Sequence, residues 1–251
     1  MGDLNTFSTD GLVLKLRHTG ESDRIVTVLT RDHGVLSAFA KGARRPKSRL
    51  NSGTQSFCFA DFTFKTGRDD AMNITDAAVK EVFFDLNQDL VKLSLAQYFA
   101  QLAQELIPPE DAGDEPLRLL LNALYFLSKE KRPADLIKTV VELRLAGCAG
   151  YTPDFGGCAG CGVVGEQFMI LDCREGVIFC PDCGRNVRGV RLSAAAIGIM
   201  RRISEGDLAA AFSVSAPAEH LREISAAAER YILTQTERGY SALDFLKSVK
   251  I

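Results

Sequence analysis

Tryptophan is absent from this 251-residue chain, and only three histidines occur, His18, His33 and His220. They are scattered, and His18 and His33 flank turns, so they read as surface or turn residues rather than catalytic bases. There is no Gly-x-x-x-x-Gly-Lys-[Ser/Thr] or Gly-x-Gly-x-x-Gly loop, which removes the common phosphate cradles and leaves an enzyme reading with little support. No apolar run approaches the roughly 18 residues that span a bilayer. The start, Met-Gly-Asp-Leu-Asn-Thr, lacks the basic stretch and hydrophobic continuation of an export signal. A cytoplasmic protein without a membrane segment is the expectation. Repeats and low-complexity tracts are also missing, and with 46% apolar and 25% charged residues the chain can bury a core.

Positive charge is in short supply overall, since 30 Lys and Arg face 32 Asp and Glu for a net charge of −2. A nucleic-acid partner is usually met by clustered cations, so this average argues against one. The distribution argues the other way. Residues 1–80 hold 12 basic and 9 acidic residues, net +3, leaving 18 against 23, net −5, for the remainder. Within KGARRPKSR, Lys41, Arg44, Arg45, Lys47 and Arg49 stand together with no acid among them. Cations on such a loop can hold phosphates without reading bases, although a run of charge can equally be a solvated surface.

From Thr9 to about Val82 the chain reads as five short β segments: GLVLKLR, RIVTVLT, VLSAFAKG, SFCFADFTFK and MNITDAAV. Turn-rich pieces HTGES, RDHG and KTGRDD lie among them. Five strands in so short a span suggest a small barrel. The uneven spacing of Phe57, Phe59, Phe62 and Phe64 hints at a bulge. Near Leu86 the period changes to three and four, with Leu86, Leu90, Leu93, Ala96, Ala100, Ala103 and Ile107 on one helical face ending before Pro108. After the acidic loop EDAGDE, a second helix follows with Asp114 as cap and Pro116 in its first turn. A third helix begins after Pro133, and further helices are expected at about 193–204, 217–238 and 242–249. The class is α+β, with a β front, an α back and an insert that looks metal-binding.

That insert contains four of the seven cysteines. Cys158-x-x-Cys161 and Cys180-x-x-Cys183 are 18 residues apart, each followed by a glycine, Gly162 and Gly184, that would permit positive φ. Two such knuckles complete a tetrahedral set of four thiolates, with one structural zinc ion as the natural occupant. An iron–sulfur cluster would also accept four cysteines, but the strand-like FMILD and GVIF between the pairs favour a zinc ribbon. Saturated coordination leaves no open position for substrate. Cys58, Cys148 and Cys173 lack this spacing and read as buried or spare thiols.

The stretch DGLVLKLRHTGESDRIVTVLTRDHGVLSAFAKGARRPKSRL resembles the N-terminal signature of the RecO family, including its ESDRI turn, LTRDHG hairpin and KGARRPKS loop. The resemblance implies an OB-fold DNA-binding domain over 1–82 and a helical domain over 83–251, with the zinc motif at 156–186. It implies a non-enzymatic mediator of DNA repair and recombination that binds single- and double-stranded DNA and anneals complementary strands. Such a protein would help load a RecA-type recombinase, with RecR and the acidic tail of the single-stranded-DNA-binding protein as partners, and would join the bacterial nucleoid during repair. Carried over by motif, Lys41, Arg44, Arg45, Lys47 and Arg49 are the candidate DNA contacts, with Arg17, Arg24 and Arg31 as neighbours. The family commonly continues with a "QPF"-like strand start, where this chain has Gln55-Ser56-Phe57, leaving Phe57 open between core and base stacking. Asp23, between Ser22 and Arg24, reads as a turn or strand-edge salt-bridge residue. A zinc-ribbon and OB-fold protein that binds RNA, or serves as a scaffold, is the rival reading.

Overall fold

A computed structural model describes residues 6–67, 71–108 and 113–249; the turn KTGRDD and the loop EDAGDE fall partly outside them. Segments rich in β-branched and aromatic residues form the strands β1 (Thr6–Thr19), β2 (Asp23–Thr30), β3 (Val35–Ala40), β4 (Cys58–Thr66) and β5 (Met72–Val82), with burial alternating most clearly along β4. They close into a barrel in the order β1-β2-β3-β5-β4, with β1 also paired to β4 and β3 parallel to β5. This is the five-stranded arrangement of an OB-fold.

β1 is long because it serves two neighbours, pairing β4 from Thr6 to Leu12 and β2 from Gly11 to Thr19. At the crossover a side chain on Gly11 would meet Val28 Cγ1 at 2.5 Å, so only glycine lets the strands pass. Val13, Val26, Val28, Phe62, Phe64 and Ile74 fill the interior. Phe57 joins the core at 3% exposure, with φ at 59° and its amide donating to Val13 O, which settles it as a packing residue. The uneven phenylalanine spacing is explained by register shifts at Phe59/Ala60 and Thr63/Phe64 in the β4–β5 pair.

A four-residue helix, α1 (Leu50–Gly53), interrupts the loop between β3 and β4 and was not expected from periodicity, being one turn long. A 3₁₀ turn, Phe84–Gln88, leads to α2 (Leu90–Leu106), capped by Asp89, whose carboxylate accepts from the Val91 and Lys92 amides. α3 (Asp114–Ser128) follows. The change from strand to helix lies just past Val82, but the first compact unit extends from Met1 to Ser128, so α2 and α3 pack with the barrel. Gly113 makes this possible: its amide donates to Arg31 O, and a side chain there would meet Thr30 O at 2.1 Å.

The second unit, Lys129–Ile251, contains α4 (Ala134–Cys148), four short strands and four helices. Strands β6 (Asp154–Cys158), β7 (Phe168–Asp172), β8 (Val177–Phe179) and β9 (Val190–Ser193) form a sheet ordered β6-β8-β7-β9. Helices α5 (Ala194–Glu205), α6 (Leu208–Phe212), α7 (Ala218–Thr236) and α8 (Ser241–Val249) complete it. α4 packs on α7, and its centre holds an ion network: Lys138 meets Glu142 at 2.8 Å and Glu229 at 3.0 Å, while Lys247 meets Glu229 at 2.6 Å. Lys138 and Glu142 are almost fully buried, so α4, α7 and α8 are joined by charges whose desolvation is offset by mutual pairing and by donation from Lys138 Nζ to Ser225 O.

Candidate nucleic-acid interface and metal centre

The basic loop leaves the barrel directly after β3, and Lys41, Arg44, Arg45, Lys47 and Arg49 are all exposed. Five neighbouring cations on a loose loop would spread into many conformations unless the backbone beneath were fixed. The turn joining β1 to β2 fixes it. Asp23 Oδ1 accepts from the Gly42 amide at 2.7 Å and from Ser22 Oγ at 3.1 Å, and Gly42 can adopt its φ of 66° because it has no Cβ. Ser22 O accepts from the Arg44 amide at 2.9 Å. The Gly42 amide first, then the Ser22 hydroxyl and the Arg45 and Lys41 cations, hold the Asp23 carboxyl below its ordinary pKa. Of the two roles expected for Asp23, the structure shows the turn residue: its carboxylate clamps backbone of the basic loop.

Arg24 completes the clamp and departs from its expected role. It is 6% exposed, and its Nη1 donates to Asn51 O at 2.9 Å and Thr54 Oγ1 at 2.7 Å while Nη2 donates to Asn51 Oδ1 at 3.2 Å. Its guanidinium is committed to α1 and the turn after it, beneath the loop, and does not face solvent. Arg31 also departs. It follows the opposite end of β2, about 23 Å of extended chain from Arg24, and pairs with Asp10 at 2.7 Å and Asp114 at 3.5 Å. Lys80 pairs with the same Asp10. Arg17 remains exposed and lies near the loop, since its neighbour His18 registers with Arg24. The structure thus gathers Arg17 with the five loop cations and sets Arg24 and Arg31 apart. Periodicity could not have revealed the clamp, because its contacts link Ser22, Asp23 and Arg24 to residues about twenty to thirty positions away.

In the second unit, Cys158, Cys161, Cys180 and Cys183 bring their sulfurs within 4.8 Å of one another. The Cys161 and Cys180 sulfurs are 3.8 Å apart, which matches the edge of a tetrahedron with metal–sulfur bonds of about 2.3 Å. Backbone amides aim at the cluster, with Cys180 N donating to Cys158 Sγ at 3.2 Å and Cys183 N to Cys180 Sγ at 3.4 Å. Burial would raise the Cys158 pKa, but donation from the Cys180, Cys161 and Gly160 amides outweighs it and brings the value to about 6. Crowding by Cys180, Cys161 and Cys158 instead pushes Cys183 up to about 12. Four sulfurs so close cannot all ionise unless a cation lies among them, and the donor set fits a soft, tetrahedral ion.

Gly162 has the expected positive φ, 77°. Gly184 does not have one; it is needed for space, since a side chain there would meet Ile170 Cδ1 at 2.7 Å and Cys180 O at 3.0 Å. Cys173 is buried outside the cluster, burial raising its pKa, and Cys58 is pushed up to about 11 by the same effect in the barrel core. The ribbon is fastened to α7 along its length. Glu223 accepts from Ser193 N and Oγ at 2.6 and 2.8 Å, Tyr231 Oη donates to Tyr151 O at 2.9 Å, and Gln235 Nε2 donates to Cys173 O at 2.8 Å. Among the described residues, no helix is long and apolar enough to cross a membrane.

A closed five-stranded barrel bearing a clamped cationic loop, together with a helical unit whose ribbon gathers four cysteines able to hold a metal ion, defines an α+β protein of the OB-fold class. The N-terminal family model for recombination protein O matches residues 4–83, and the C-terminal model matches residues 87–244. The chain belongs to the RecO family. It is 33% identical to the DNA repair protein RecO of Acetivibrio thermocellus over 98% of both chains. Identity to the DNA repair protein RecO of Symbiobacterium thermophilum is 32%, covering 97% of this chain and 98% of the relative. Its counterpart in Anaeromyxobacter dehalogenans is 34% identical over 95% of both chains.

Proposed function

We propose that this protein is a recombination mediator that works by binding alone, with no catalytic group. Lys41, Arg44, Arg45, Lys47 and Arg49, with Arg17 beside them, hold the phosphates of single- and double-stranded DNA. Lowered repulsion between two bound strands lets their bases pair, so binding free energy drives annealing. Working with RecR, the protein assists a RecA-type recombinase onto DNA coated by single-stranded-DNA-binding protein, whose acidic tail is a further partner. In this reading residues 1–82 form the DNA-binding domain, and 83–251 the helical domain with the zinc motif at 156–186. The work is done in the bacterial cytoplasm, at the nucleoid during repair. Cys158, Cys161, Cys180 and Cys183 hold one structural zinc ion, which ties the two knuckles together.

The observation that carries this reading is the loop itself: five exposed cations, free of acids in sequence, on a backbone fixed by Ser22, Asp23 and Arg24. Salt-dependent annealing of complementary oligonucleotides by wild type and an Arg44→Ala, Arg45→Ala, Lys47→Ala variant tests it. Loss of three phosphate contacts should flatten the slope of log affinity against log salt by about 2 to 3. Annealing that is unchanged in the variant moves the DNA site elsewhere. No DNA binding, or tighter binding to matching RNA, favours the RNA or scaffold reading.

A further inference from the structure

Among the described aromatic residues of the barrel strands and their loops, five are wholly or largely covered. Phe57, Phe62 and Phe64 are buried, Phe7 stacks on Phe64 with ring centres 5.3 Å apart, and Phe59 lies under Lys80. Phe39 is the exception, at 38% exposure on β3. Strand register explains where it stands. β2 aligns Ile25 with Arg17 of β1 on one side and with Phe39 of β3 on the other, and the adjacent row aligns Lys15, Thr27 and Ser37. Between these rows Leu16, Val26 and Ala38 take the opposite parity, and Val26 and Ala38 are wholly buried in the core. The outer face of β1-β2-β3 therefore presents an apolar ring two strands, about 10 Å, from the Arg17 position, with Lys15 on the next row and no acid in either row. Lys41 follows Phe39 by two residues, at the start of the basic loop.

We propose that Phe39 is the platform on which a base of single-stranded DNA stacks, while Arg17, Lys41 and the loop hold the phosphates on either side of it. This rests on the DNA-binding reading above and adds a base contact to it. The chemistry is specific to unpaired nucleotides. Duplex DNA offers phosphates but keeps its base faces stacked on each other, so Phe39 gives the site a preference for single strands that cations alone cannot give. A base–aromatic stack is also tolerant of sequence, since every base has a π face.

The absence of tryptophan supplies the test. Phe39→Trp introduces a single indole, whose fluorescence should be quenched by an oligothymidylate and left unchanged by an abasic oligonucleotide of equal length. In parallel, Phe39→Ala should weaken binding to oligothymidylate about 5- to 100-fold, with little change for the abasic strand or for duplex. Phe39→Leu, which keeps apolar cover over Ile25, should show the same selective loss and controls for folding through an unchanged melting transition. An unquenched Phe39→Trp, or equal loss on all three ligands, overturns the stacking role. If the phosphate contacts fail instead, wild type will bind neither the abasic strand nor duplex, and that outcome overturns the DNA reading itself rather than the role of Phe39 within it.

Discussion

The two candidate sites of this protein are stabilised in opposite ways. The basic loop of the first unit rests on a barrel closed by its own strand pairing and an apolar interior, and its cations are placed by neutral backbone donors meeting Asp23 and Ser22. The ribbon of the second unit has strands of only three to five residues, and its two knuckles are brought together at four sulfurs. A barrel can tolerate like charges on its surface because water screens them. Four cysteine sulfurs within 4.8 Å of one another can instead share a metal ion. The first site is thus a product of packing, whereas the second, in the function proposed above, is completed by a zinc ion.

Removing that ion should have the largest effect. Chelation, or Cys158→Ser, is expected to lower the unfolding temperature of the second unit sharply, since structural zinc contributes on the order of 10 kcal/mol in isolated zinc-binding peptides. Differential scanning calorimetry with metal analysis checks this; a Cys158→Ser protein that retains full zinc and its native melting profile would refute the ligand assignment. Lys138→Met comes next. It leaves Glu142 and part of Glu229 without their cation, and should cost about 3–5 kcal/mol by urea denaturation of the zinc-loaded protein.

In the first unit the corresponding loss is smaller. Arg24→Met removes donors to Asn51 and Thr54 and should cost about 1–3 kcal/mol. Because the loop cations remain, DNA affinity should fall while its salt slope is kept, which separates a positioning residue from a phosphate contact. A lowered slope would instead place Arg24 on the DNA.

Acid sharpens the comparison least but has a definite sign. Burial opposes the charge of Glu229, yet Lys138 and Lys247 hold its carboxyl below the usual 4.5. A carboxyl depressed by folding stabilises the native state above its unfolded pKa, and that contribution is lost as pH falls below about 4.5 through the folded value. With zinc kept saturating, the second unit of wild type should lose stability over this range more steeply than Lys138→Met. Parallel pH profiles of the two proteins would remove Lys138 from that role.

Much of this was legible in the residues because the signals are local. Five short β segments set between turn-rich pieces marked the barrel strands, three-and-four periodicity marked α2, and paired cysteines at matched spacing marked the ribbon. What escaped was short or long-range. α1 is a single turn, too brief for a period, and α6 has only five residues. Lys138 and Glu142 are an i,i+4 pair on α4, but their burial and the second partner, Glu229, appear only when α7 packs on that helix.

The eight candidate cations illustrate the same division. Sequence alone determined that Lys41 to Arg49 form an acid-free cluster and that four cysteines share a spacing suited to one metal ion, because both properties belong to contiguous or regularly spaced residues. Only the tertiary structure decided that Arg24 lies beneath the loop, that Arg31 is held by Asp10 at the far end of β2, and that Phe39 shares an outer face with Arg17. Burial, pairing and strand register depend on which distant segments meet, and that is settled by closure of the barrel.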